Sequence, residues 1–155
     1  MATRTEAPET KRVLGRVFAM GGIVIAIFAL NQFVFGPLFD RTIGPRAAQG
    51  VYVLIRVIGL AGLAYGLAKF AKRNRFQTLS TVLLVGFIDQ VILKGLWIKQ
   101  DIRIHPAEWV GFEPTTASIF LTMSYGYLFF TPLILILAFV GMESTRFRSD
   151  WSLRD

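Results

Sequence analysis

The sequence predicts an all-α integral membrane protein: a four-helix transmembrane bundle with both termini in the cytoplasm. Three observations predict it. Of 155 residues, 54% are hydrophobic and only 17% are charged, whereas a soluble domain carries about a quarter charged residues. The apolar residues gather into four long runs. The cations fall between those runs on alternating sides.

A hydrocarbon core of ~30 Å takes roughly 20 residues of helix to cross. The first run, 17–39, carries no charge, and Pro37 marks its expected end. It is much longer than a signal-peptide core and reads as an uncleaved signal anchor. The second, 47–68, holds one charge, Arg56. The third, 76–98, is the most polar, with Gln77, Asp89, Gln90 and Lys94. A charge at helix centre costs ~2.5–3.5 kcal/mol on insertion scales, and the run TVLLVGFI offsets part of that. Without a third span, 69–114 would form one long loop, against the usual loop lengths of compact domains. The fourth run, 115–142, is uncharged and interrupted by Pro132. All four should be helical, because lipid offers backbone N–H and C=O groups no other partner. The chain thus divides into a flexible tail (1–12), a transmembrane domain (13–142) and a basic tail (143–155).

Orientation follows from the cations. Arg4, Lys11, Arg12 and Arg16, then Lys69, Lys72, Arg73 and Arg75, then Arg146, Arg148 and Arg154 share one side; Arg41, Arg46, Lys99 and Arg103 share the other. Eleven against four places both termini and the second connection in the cytoplasm. The net charge of +7 then reads as basic clusters facing anionic lipid head groups. Membrane lipids are the expected partners, nucleic acid is not, and a bacterial inner membrane is the expected location. Trp97 and Trp109 belong at the outer interface and Trp151 at the inner one.

Several chemistries are excluded by arithmetic. There is no cysteine and a single histidine, His105. That leaves no thiolate metal site, dithiol pair or cysteine nucleophile. The sequence has no GxSxG, and its glycines lie inside apolar helices instead of strand–loop–helix contexts. No catalytic residue and no metal site is assigned. No cofactor is expected beyond bound lipid, and the reading leans away from an enzyme.

The candidate residues are those that do not fit a lipid-facing helix. Arg56 lies seventeen residues before Arg73 and Asp89 sixteen after it. In an antiparallel hairpin turning near Lys72 and Arg73, the two reach equal depth and can form a charge-assisted pair. That pair is either a structural clasp or a site for ion, proton or anion coupling. Gln90, Lys94, Asn31 and Gln32 extend it into a polar patch in the outer half. On a helix of 3.6 residues per turn, Asp89 and Lys94 point about 140° apart, so no direct pair is expected between them. Gly59, Gly62 and Gly66, the last two a GxxxG pair, form a small-residue ridge for helix packing or self-association. Pro132 predicts a kink, since it clashes with the Leu128 carbonyl, and Ser124 and Thr131 could line a polar seam. In the outer loop, His105, Glu108, Trp109 and Phe112 form a candidate contact surface.

Two functions fit this pattern. The first is a non-catalytic accessory or scaffolding subunit of a larger membrane protein complex. The second is a small oligomeric channel or ion- or proton-coupled transporter that uses the Arg56–Asp89 pair.

Overall fold

The computed structural model describes residues 6–71, 74–109 and 114–151. Among them there is no strand. Six α-helices appear in order: α1 (Glu6–Leu30), α2 (Gly36–Thr42), α3 (Pro45–Lys69), α4 (Arg75–Phe87), α5 (Lys94–Ile104) and α6 (Thr116–Trp151). Two short π-helical segments, Asn31–Phe35 and Ile88–Leu93, fuse α1 to α2 and α4 to α5. Four helices are therefore long and apolar enough to cross a membrane: Arg12–Thr42, Pro45–Lys69, Arg75–Ile104 and Thr116–Thr145.

Most of these helices outrun the apolar runs that announce them. The first does not end at Pro37. Pro37 falls at the first positions of α2, just after the π segment, and the helix continues to Thr42. A proline lacks an N–H, and the start of a new helical register is where that loss costs least. The third helix persists past residue 98 to Ile104, and α6 extends beyond residue 142 to Trp151. At the other end of the chain, α1 begins at Glu6. Hydropathy marks where a helix is apolar; these ends are helical and polar.

The connections are set by local chemistry. Gly44, with φ of 83°, turns the chain between α2 and α3, a conformation glycine adopts without steric cost. Pro45 then opens α3. Asn74 caps α4, its side chain accepting from the Gln77 N–H at 2.8 Å. Thr115 caps α6, its Oγ1 accepting from the Ser118 N–H at 3.2 Å. Pro132 does not end α6, which is continuous through it, although its ring leaves the Leu128 carbonyl without an N–H donor from position 132.

The Arg16 guanidinium donates to the Phe70 carbonyl, and Arg75 pairs with Glu143 at 2.9 Å. These contacts gather the start of α1, the α3–α4 connection and the late part of α6 at one end of the bundle, here called the near end. The short turn at Gly44 and the C-terminal part of α5 mark the far end. The apolar core lies toward the near end and includes Phe28, Leu63, Leu67, Val82, Ile134, Ala138 and Met142. Its main contact is α3 on α6. There, a Cβ added at Gly141 would fall on the Ala61 carbonyl oxygen and crowd the Ala64 methyl.

The glycines of α3 are used differently from a continuous ridge. Gly59 seats the Phe28 ring, and a Cβ there would come within 2.6 Å of it. A Cβ added at Gly66 would lie 3.4 Å from the Met20 sulfur. Gly62 is exposed, and a Cβ there would meet nothing within 4 Å. Gly62 and Gly66 therefore do not act as a paired GxxxG contact inside this chain. The close backbone approach is made by Gly141 of α6 instead.

Candidate functional site

Toward the far end the interior changes character. Arg56 of α3 and Asp89 of the second π segment form a two-pronged ion pair. Arg56 Nε donates to Asp89 Oδ2 at 2.5 Å and Nη2 donates to Oδ1 at 2.7 Å. The fork of a guanidinium matches a carboxylate edge, and such bonds are roughly twice as strong as neutral ones. Asp89 is 1% exposed and Arg56 8%. The Gln90 amide gives Asp89 Oδ2 a third donor at 2.7 Å. Both carboxylate oxygens are thus engaged.

Arg56 is held from every side. Its Nη2 also approaches Gln32 Oε1 at 3.1 Å and the Tyr52 hydroxyl at 2.6 Å. The guanidinium carbon lies 3.5 Å from the centroid of the Tyr52 ring and 5.6 Å from that of Phe28. Phe28, seated on Gly59, therefore joins the apolar core to the polar cluster. Nη1 makes only a long 3.5 Å contact with the Tyr52 carbonyl. Tyr52 stands one helical turn before Arg56, where i and i+4 side chains meet. That spacing is the sequence signal for Tyr52, and mean hydropathy does not carry it.

The two π segments explain how these groups converge. The Gly36 N–H bonds to the Asn31 carbonyl and the Lys94 N–H to the Asp89 carbonyl, each a five-residue step. Such wide turns often occur at functional sites. They also alter which residues share a face. On a regular helix Asp89 and Lys94 diverge; here both line one cavity, because a five-residue step returns the chain toward the same side. They still form no ion pair with each other.

That first cavity, about 190 Å³, lies between α3 and α6, with Arg56, Asp89, Gln90 and Lys94 at its polar end and Leu60, Ile134 and Leu137 at its apolar end. Val53, Phe130 and Leu133 on its walls are 45–51% exposed, so it opens sideways between the two helices. A second cavity of about 310 Å³ sits at the far end, lined by Gln32, Asp40, Ala48, Trp97 and others. Gln49, Tyr52 and Lys94 line both cavities and stand between them. The Lys94 ammonium has no hydrogen bond or ion pair among the described residues.

Asn31 stands apart from this network. It is 1% exposed, and neither its amide nitrogen nor its oxygen has a partner among the described residues. Ser124 and Thr131 do not form a seam: each hydroxyl bonds a carbonyl of its own helix, Phe120 at 2.8 Å and Tyr127 at 3.0 Å. Tyr127 instead ties α6 to α4, donating to the Leu83 carbonyl at 2.8 Å. In the loop after α5, His105 Nδ1 meets Asp101 at 3.2 Å, and Glu108 is exposed. Phe112 lies outside the described residues, as does the side chain of Trp109. The described residues contain no cluster of three or more metal-ligating side chains.

No protein-family model matches the chain, and no curated protein or solved structure matches it.

Proposed function

We propose that this chain is an integral protein of a bacterial inner membrane, with both termini and the α3–α4 connection in the cytoplasm, acting as a non-catalytic subunit of a larger membrane assembly. The observation that carries the reading is the saturation of Asp89. Its carboxylate takes three donors and is 1% exposed. A group that shuttles a proton or ion must be reached and released from each side in turn. A carboxylate locked by Arg56 and Gln90 serves better as a strut that fixes helix positions. By sequence, eleven cations in the two tails and the second connection against four in the first and third connections support the orientation.

The experiment is purification in mild detergent with identification of co-purifying chains. A subunit brings larger membrane partners at fixed stoichiometry and is lost from the membrane when they are deleted. A chain that purifies alone, and folds and accumulates without any partner, contradicts the reading. A second reading, a small transporter, draws on the two cavities that meet at Gln49, Tyr52 and Lys94. Solute flux in liposomes that disappears with Arg56→Ala, in protein that still folds, would favour it over the subunit.

A further inference from the structure

We infer that the first cavity is a lipid site, which takes one acyl chain of an anionic phospholipid and binds its phosphate at Lys94. The inference rests on the membrane reading above and adds a specific ligand to it.

Shape gives the first argument. The cavity runs from Gln49 to Leu60 along α3, about 16 Å at 1.5 Å per residue. That is about half the ~30 Å hydrocarbon thickness, the reach of a single leaflet's chain. Its long walls are apolar, with Val57, Leu60, Leu133 and Leu137 among them. It closes toward the near end, where Gly141 brings α6 onto the backbone of α3. It opens sideways past Val53, Phe130 and Leu133, the direction from which a bilayer lipid would arrive.

Charge gives the second. The titratable groups lining the cavity are Arg56, Lys94, Asp89 and Tyr52. Arg56 and Asp89 neutralise each other, so Lys94 leaves a net positive charge. Its ammonium has no partner among the described residues, and it sits where the groove meets the second cavity, toward the far end of the bundle. Asp40 lines only the second cavity and forms no ion pair with Lys94. An anionic head at Lys94 with its chain along α3 satisfies both ends of the groove. A zwitterionic head brings its own cation to the same place and gains less.

The test is native mass spectrometry of the full chain in detergent, titrated with dioleoyl phosphatidylglycerol, dioleoyl phosphatidylcholine or inorganic phosphate. The expected result is one retained phosphatidylglycerol at concentrations where phosphatidylcholine is lost, undisturbed by excess phosphate. Lys94→Gln weakens retention about fivefold, the factor matching the ~1 kcal/mol that one cation contributes near a membrane surface. Leu133→Trp, at a half-exposed wall position, fills the groove and abolishes retention of both lipids; Lys69→Gln, at the near end, changes nothing. Equal retention of the two lipids, an unaltered Lys94→Gln, or displacement by phosphate alone overturns the inference. If Lys94→Gln does not fold, Leu133→Trp decides. Alkaline carbonate separates the two claims: a chain extracted by it contradicts membrane insertion itself, whereas a chain that stays in the membrane but retains no lipid contradicts only this site.

Discussion

At the near end of the bundle, α3 and α6 touch where Gly141 leaves no room for a Cβ above the Ala61 carbonyl, and the interior around them is aliphatic. At the far end the same two helices part around a cavity, and the interior is an ion pair. The near half uses regular α-helix throughout, since close packing between apolar helices needs only small side chains at the contact. The far half holds both π segments. A regular helix directs adjacent side chains about 100° apart, so two consecutive polar residues cannot both face the interior easily. A π turn changes that spacing. Gln32 and Asp89 both reach Arg56 from such turns. Close packing and polar convergence are thus met by different backbones within one bundle.

The largest expected effect lies in the polar half. Asp89→Asn leaves a buried guanidinium without its counter-charge and should destabilise the chain by ~3–5 kcal/mol, read as a lower unfolding midpoint in detergent. A loss below ~1 kcal/mol would mean that water or lipid solvates Arg56 without the pair. The apolar half is tested by Gly141→Ala. The added methyl falls on the Ala61 carbonyl, so the helices must separate at an overpacking cost of ~1–3 kcal/mol. Equal stability of this variant and wild type would show that the contact is not tight. Tyr52→Phe keeps the ring under the Arg56 guanidinium and removes one hydrogen bond, for ~0.5–1.5 kcal/mol; Tyr52→Leu should cost more, because the cation–π contact goes too. Gly62→Ala sharpens the comparison from the other side. It faces outward with open space around it, so stability should stay within ~0.5 kcal/mol. A shift in oligomeric state on native gels would instead identify Gly62 as a contact to another chain.

The four long helices were legible because hydropathy is a property of long stretches. So was the level of Arg56 and Asp89, because counting outward from the α3–α4 turn needs only the rise per residue. What was not legible is what depends on a change in helical step. Asp89 and Lys94 diverge on a regular helix and share a cavity on a widened one. The same widening carries the first helix past Pro37, where a proline read by itself signals an end. A clue was present in the doublets Asn31–Gln32 and Asp89–Gln90. Each is a polar pair inside an apolar helix, and each lies in a π segment. The contact partner of α3 was missed for another reason. Glycine spacing on one helix does not say which helix it meets, and Gly141 carries no motif.

Arg56 and Asp89 form one buried unit in the polar half. A double-mutant cycle on unfolding in detergent tests it most directly, with Arg56→Ala, Asp89→Ala and the two combined. Each single variant should lose more stability than the double variant, since a lone buried charge costs more than none. Losses that simply add, leaving the double variant the least stable of the three, would contradict it.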